Sequence, residues 1–164
     1  MRSCISAVVL LGGCLGTGLC GCRSTAPSVL ATQPAAATEV VKEYWPDGAL
    51  KSSKEVVRRP DGTAVENGLC TTWYESGLKQ YEATYVNGQI SGTATAWHPN
   101  GRVWTTEEYV NGVRHGTRTA YDPEGHRVQE EHYYDGKPDG TWTIWTPAGK
   151  VKWQGRFDKG TPRP

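Results

Sequence analysis

The stretch WHPNGRVWTTEEYVNGVRHGTRTAYDPEG, residues 97–125, alternates turn signals with runs of strand-forming residues. In Trp97–Gly101 and Tyr121–Gly125, proline presets the first central position of a turn, and glycine follows where a positive φ is easiest. Asn111-Gly112, between them, is a typical two-residue hairpin turn. The runs between the turns are rich in threonine, valine and aromatic residues, which favour strands. This stretch therefore predicts antiparallel β-hairpins.

The same pattern recurs at a constant interval from Trp73 onward. Each unit has an aromatic residue, a glycine four positions later and a second aromatic eight positions after that glycine. The first aromatics are Trp73, Trp97, Tyr121 and Trp145, the glycines are Gly77, Gly101, Gly125 and Gly149, and the second aromatics are Tyr85, Tyr109, Tyr133 and Phe157. Tyr44 and Gly48 begin a longer first unit, whose extra residues fall within Arg58–Thr63. A fixed period of this length indicates a repeat array.

Strand alternation assigns the aromatics to columns. It places Thr93, Thr95 and Trp97 on one face, so the first aromatics of successive units stack across the sheet and the second aromatics form another column. No segment after Tyr44 has a sustained apolar period of 3.6 residues. We predict an all-β domain over residues 41–164, an elongated antiparallel β-hairpin repeat array of about five units with the first enlarged.

The N-terminal segment is typical of an exported protein. Residues 1–21 have one basic residue, Arg2, before an apolar run from Ile5 to Leu19. Residues 19–22, Leu-Cys-Gly-Cys, resemble the bacterial lipobox, which implies removal of residues 1–21 and lipidation of Cys22. Cys14 fits the same pattern after a shorter apolar run, and an ordinary cleaved secretory signal is the third possibility. Residues 22–40, rich in alanine, proline, serine and threonine, predict a disordered tether.

These features place the protein at the bacterial cell envelope, anchored by lipid. Arg23 follows Cys22 where enteric lipoproteins retained at the inner membrane carry aspartate, which favours the outer membrane in a host with two membranes. Beyond residue 21 the chain has 17 basic and 17 acidic side chains. This balance argues against nucleic acid as a partner, because phosphate binding needs clustered positive charge.

Neither a catalytic nor a metal site is predicted, and we expect no cofactor and no enzyme activity. Cys70 has no base near it in the sequence and is interpreted as a structural thiol. The four histidines lie in or beside turns or on a strand, without the spacing of metal ligands. Glu107 and Glu131 are separated by one repeat interval and could share a row across the sheet. We expect them to flank an aromatic column as solvated charges.

Some aromatic residues interrupt the repeat. A purely structural position should recur in every unit, so an aromatic without counterparts is a candidate binding residue. These are Tyr81, Trp104, Trp142 and Trp153. Each could equally fill a gap in the array or cover its end.

The repeat also resembles a known family. Tyr85-Val86-Asn87-Gly88 is followed by Gly92, Trp97 and Gly101, and this pattern is similar to the MORN repeat, specifically to the bacterial MORN-variant repeats of YwqK-family antitoxins. The resemblance extends from about Tyr44 to Gly160. It implies a hairpin array without catalytic residues that acts as a scaffold in contact with protein or phospholipid.

Together these patterns predict a non-catalytic, membrane-tethered module for protein binding or scaffolding, with another envelope protein as its partner. A YwqK-type antitoxin is one alternative, which would need access to a toxin in the same compartment. Binding of a glycan such as peptidoglycan through exposed aromatics is another. The open edges of such a sheet would also permit homo-oligomers.

Overall fold

The computed structural model describes residues 37–164, which form one antiparallel sheet of 13 strands. The strands are β1 Thr38–Tyr44, β2 Leu50–Arg58, β3 Ala64–Trp73, β4 Lys79–Val86, β5 Gln89–Ile90, β6 Gly92–Trp97, β7 Val103–Val110, β8 Val113–Tyr121, β9 Arg127–Tyr134, β10 Lys137–Pro138, β11 Gly140–Trp145, β12 Val151–Asp158 and β13 Thr161–Arg163. Strands follow each other across the sheet in chain order, except that the short β5 and β10 pair beside β4 and β9. The sheet is open, and the predicted all-β hairpin array is confirmed.

The predicted export signal 1–21, Cys22, Cys14 and the tether as far as residue 36 lie outside the described residues. The first strand begins at Thr38, three residues before the predicted domain start at 41. Thr38 pairs with Val57, and Glu39 accepts a hydrogen bond of 2.7 Å from Nε of Arg58, so these residues belong to the sheet. No segment between residues 37 and 164 is a helix long and apolar enough to span a membrane.

Two kinds of turn lie at opposite ends of the strands. We call the side of the sheet with turns such as His98–Arg102 the proline edge, and the side with turns such as Asn111-Gly112 the asparagine edge. At the proline edge, the N–H of His98 donates to Arg102 and the N–H of Gly101 donates back to His98, with Gly101 at φ 82°. This is a type I turn closed by a glycine bulge. At the asparagine edge, Asn111 and Gly112 have φ of 50° and 79°, as a type I′ turn requires. Both predicted turn types are confirmed.

The enlarged first unit has a simple structural cause. Between β2 and β3, where later units have a two-residue turn that ends in glycine, the chain forms a second proline turn. The N–H of Arg59 donates to Thr63 and the N–H of Gly62 donates to Arg59, both at 2.9 Å. The extra residues are therefore those of Arg58–Thr63, as the sequence predicts.

The two aromatic columns lie on opposite faces. Thr95 lies on the same face as Trp97 and pairs with Thr106. Gly92 lies three residues before Thr95 and is therefore on the opposite face, where it pairs with Tyr109. We call the face with Trp73, Trp97, Tyr121 and Trp145 the tryptophan face, and the face with Tyr85, Tyr109, Tyr133 and Phe157 the tyrosine face. Each second aromatic pairs with a glycine on the neighbouring strand: Tyr85 with Gly68, Tyr109 with Gly92, Tyr133 with Gly116 and Phe157 with Gly140. The absence of a glycine side chain leaves room for the ring.

Hydrogen bonds between units repeat along the proline edge. The Tyr74 hydroxyl donates to the carbonyl of Trp97 at 2.7 Å, and Nε2 of His98 lies 2.9 Å from the carbonyl of Tyr121. Each of these side chains thus contacts the aromatic column one unit further on. Trp45 occupies the same position in the first unit, and its indole N–H is buried without a hydrogen-bond partner in the part of the chain described.

Small side chains make up the buried part of the sheet. The buried apolar residues are Val56, Cys70, Ala83, Ala94 and Ala120, and the buried polar ones include four threonines. Within residues 37–164 no large side chain is fully buried. Stability therefore rests on half-buried aromatics, cross-strand pairs and hydrogen bonds, as expected of a thin sheet.

Candidate binding surface

Trp104 lies in a β-bulge that every unit repeats. At the proline edge Trp97 pairs with Val103 and Ala96 pairs with Thr105, which leaves Trp104 as the extra residue. In the other units the register shifts at the same place, and the extra residues are Lys51, Gln80, Val128 and Lys152. No other aromatic residue occupies this position, and Trp104 exposes 50% of its surface.

A shallow cavity is lined by residues that flank Trp104 in the chain. It has a volume of about 420 Å³ and is lined by Arg102, Val103, Thr106, Tyr121, Glu124 and Gly125. The imidazole of His98 also lies near Trp104, with the ring centroids 5.8 Å apart. We call Trp104, His98 and the lining of this cavity the Trp104 surface. It combines an exposed indole, a concave apolar floor and an arginine, the features that characterise protein contact sites.

Trp142 and Tyr81, by contrast, are half-buried on the tyrosine face. The Trp142 ring lies 5.4 Å from that of Tyr133 and 4.8 Å from that of Phe157, and its indole N–H donates to the carbonyl of His132 at 3.0 Å. Tyr81 pairs with Thr72 and Ala96, and burial raises the pKa of its phenol. Both placements favour the packing role that the sequence left open for these residues.

Trp153 is exposed to 44% but lies against the chain. A Cβ atom on Gly155 would come within 2.5 Å of the Trp153 ring, so the ring covers this glycine. Trp153 lies on β12, near the C-terminal end of the sheet, and pairs with Ile144 on β11. The structure therefore does not bring the four candidate residues together into one surface.

A row of charged side chains crosses the tyrosine face. Nε of Arg118 lies 3.0 Å from Glu107, and its Nη1 lies 3.3 Å from Glu131. Glu131 also accepts hydrogen bonds from Tyr133 and Gln129, and it is only 7% exposed. Glu107 and Glu131 thus share a row as the sequence suggested, but the expectation that they are solvated is wrong, because Arg118 lies between them and the tyrosines cover them.

Arg114 completes this group, which we call the charge row: Glu107, Arg114, Arg118 and Glu131. Its Nε donates to Glu107 at 3.0 Å, and its guanidinium lies 5.5 Å from the Tyr133 ring centroid. Burial acts to raise the pKa of Glu107, but hydrogen bonds from Tyr109 and Arg118 and the charge of Arg114 hold that pKa below its usual value of 4.5. The charges of the two carboxylates and the two guanidiniums cancel. We therefore interpret the charge row as a structural ion-pair network and not as a reactive site.

Cys70 is buried on the tyrosine face, between Lys54 and Ala83. Burial and the nearby Glu66 carboxylate raise the pKa of its thiol, so little of it is thiolate at neutral pH. Residues 37–164 contain no group of three or more histidine, cysteine or acidic side chains that a metal ion could join. The arrangement can therefore bind through surface contact. Among the four candidate aromatics that interrupt the repeat, Trp104 is the most exposed.

An open antiparallel sheet built from five hairpins defines the protein as a hairpin-repeat protein. The family model of the MORN repeat variant matches residues 66–87 and 114–134, each of them a hairpin of this sheet. MORN repeats are generally non-catalytic binding modules. A comparison with curated proteins finds no match.

Proposed function

We propose that this protein is a non-catalytic binding or scaffolding module at the bacterial cell envelope, tethered by lipid on Cys22, with the Trp104 surface as its contact site. The observation that carries the proposal is the exposed indole of Trp104 at a bulge where other units have lysine, glutamine or valine. The bulge itself therefore needs no aromatic residue. An indole that the fold does not require, beside a cavity and an arginine, is typical of a binding hot spot.

The contact site is tested by replacing Trp104 with the residue of the neighbouring unit, Trp104→Gln. A photo-crosslinking residue placed at 124, in the lining of the cavity, leaves Trp104 intact and should give a discrete adduct with one envelope protein in the full chain. Trp104→Gln should weaken binding of that protein at least tenfold. The matched control is a crosslinker at 148, the exposed position one repeat further on. Equal adducts at 124 and 148, or unchanged affinity of Trp104→Gln, would refute this contact site.

The envelope location is tested separately by membrane fractionation with protease accessibility, comparing the intact chain with Cys22→Ala. We expect the intact chain in the envelope fraction and the variant released from it. If Cys14→Ala rather than Cys22→Ala releases the protein, the anchor is Cys14. A protein that is cytoplasmic in both forms would contradict the tether and make an antitoxin role of the YwqK type the leading proposal.

Glycan binding is the second alternative predicted from the sequence. On the tryptophan face, Arg127 lies over the Trp145 ring at 4.3 Å and Lys79 lies 5.4 Å from the Trp97 ring centroid. These cations occupy ring faces that a sugar would need for stacking. Glycan binding therefore depends on exposed rings such as Trp104 and Trp153, and a tryptophan fluorescence titration with peptidoglycan fragments tests it.

A further inference from the structure

Only part of the outer edge of β12 pairs with another strand. In the interior of the sheet, β4 pairs with β6 through Tyr81 and Glu82, and β9 pairs with β11 through Gln129 and Glu130. The equivalent residues of β12, one repeat further on than those of β9, are Trp153 and Gln154. Among the described residues only β13 reaches this edge, and it pairs with Arg156–Asp158 alone.

Pro164 prevents the next strand from continuing as it does in the interior. It stands one repeat interval after Gly140, at the position where the preceding units have Gly92 and Gly116. Those three glycines have φ between 90° and 107°. The ring of proline fixes φ at about −65°, so proline cannot adopt this conformation. Proline at this position therefore does not allow the strand entry seen in the interior, and within residues 37–164 no strand pairs with Trp153 and Gln154 on this side.

β1 has the features of the strands that pair with the equivalent edge inside the sheet. Like β6 and β11, it ends in a column aromatic, Tyr44, followed by a proline turn that closes on a glycine four residues later. β1 pairs with β2 on one side, and no strand within residues 37–164 pairs with its other side. That free side is the one through which β6 and β11 join the preceding unit.

The two ends of the sheet also differ in charge. Residues 38–48 carry three carboxylates and one lysine, a net charge of −2, whereas residues 150–164 carry five basic side chains and one carboxylate, a net charge of +4. Opposite ends attract and like ends repel. Both edges also expose apolar side chains, since Val40, Val151 and Trp153 are 52%, 57% and 44% exposed.

We infer that β1 of one copy adds through Val41–Tyr44 to the free part of the β12 edge of another, beyond the residues that β13 pairs, so that the sheet continues head to tail between two copies of this chain. The interior register places Glu43 opposite Trp153 and Lys42 opposite Gln154. This surface is separate from the Trp104 surface and does not depend on it. An interface between two different edges leaves one of each edge free in a pair of molecules, so assemblies larger than a dimer form at high concentration.

Cysteine crosslinking between two differently tagged full-length copies tests the register. One copy carries Glu43→Cys and the other Trp153→Cys, residues that face each other across the new pair. We expect a disulfide adduct between the two tags, and several-fold less adduct when Lys42→Cys, on the opposite face, replaces Glu43→Cys. The parent chain gives the background from its own cysteines, and circular dichroism confirms that the variants fold.

Each outcome decides the proposal. A mixed adduct well above background supports it, whereas adducts within one tag only, or none, overturn it. Lys42→Glu provides a second test that adds no cysteine. The register brings Lys42 between Lys152 and Arg156, so this charge reversal should strengthen association several-fold in analytical ultracentrifugation. A weaker or unchanged association would contradict the head-to-tail register.

Discussion

At the scale of single residues, the aromatics that interrupt the repeat separate into two kinds. Trp142 packs between Tyr133 and Phe157, whereas Trp104 exposes half of its surface. We expect Trp142→Ala to lower the free energy of unfolding by about 2–4 kcal/mol, because it removes a half-buried indole and leaves a gap between two rings. Urea denaturation measures this loss. Trp104→Gln is the matched control and should change stability by less than about 0.5 kcal/mol.

The charge row gives a second prediction at this scale. Arg118→Met removes the cation between two carboxylates and leaves Glu131 buried without its partner. We expect a loss of about 2–4 kcal/mol, within the range for breaking a partly buried ion pair. The triple variant Glu107→Gln, Arg118→Met, Glu131→Gln should recover most of it, since no unpaired charge remains. If the triple variant is as unstable as Arg118→Met, the row stabilises through packing and not through charge.

The pKa of Glu107 predicts how stability depends on pH. This pKa is lower in the folded chain than its usual value of 4.5. The carboxylate therefore contributes stability above pH 4.5, and that contribution is lost as the pH falls through the folded pKa. The stability advantage of the wild type over Glu107→Gln should shrink below pH 4.5, as measured by urea denaturation at several pH values. An advantage that is constant from neutral to acidic pH would show that ionisation of Glu107 has no part in it.

At the scale of elements, the last asparagine-edge turn departs from the pattern. Lys159 has φ 48° where Asn87 and Asn111 have φ of 51° and 50°. Asparagine tolerates this left-handed conformation better than lysine does. Lys159→Asn should therefore stabilise the protein by about 0.5–1 kcal/mol, which appears as a higher unfolding midpoint. Lys152→Asn, at an exposed strand position, controls for loss of the charge, and an equal gain there would contradict the turn explanation.

The turns explain how far the sequence predicts the hairpins. Proline-glycine and asparagine-glycine turns at a fixed period predicted the strands, the unit length and the two columns. The bulges are not visible in that pattern. A regular hairpin centred on Asn111-Gly112 would pair Glu107 with Gly116, but a bulge between Glu107 and Tyr109 shifts the register by two and pairs Glu107 with Arg118. The charge row was therefore missed, and the carboxylates were expected in solvent.

The candidate surface was predicted only in part, for a related reason. Absence of a repeat counterpart identified Trp104 together with Tyr81, Trp142 and Trp153, but pattern alone does not show which indole is covered. The covering groups come from neighbouring strands, such as Tyr133 and Phe157 around Trp142. Their approach depends on the bulges and on the twist of the sheet, which one sequence does not specify.

At the scale of the whole molecule, each hairpin contacts mainly its neighbours. Stability in such an array is approximately a sum of unit and interface contributions, so removal of one complete unit should leave a folded protein. Deletion of residues 75–98 joins Tyr74 to Pro99 and recreates the turn Trp-Tyr-Pro-Asn-Gly. It also retains the charge row, and it brings Gly68 opposite Tyr109, the kind of pair that every later unit contains.

We expect this deletion variant to unfold in one cooperative transition with a urea m-value lower by about a fifth, because one of five hairpins is lost. Small-angle scattering should show a sheet shorter by about 10 Å, the width of two strands. Deletion of residues 87–98 is the control. It removes β5 and β6 but keeps β4, so every later turn moves to the opposite edge and the aromatic columns no longer align. A variant lacking 87–98 that folds as well as one lacking 75–98 would show that the columns do not hold the array together.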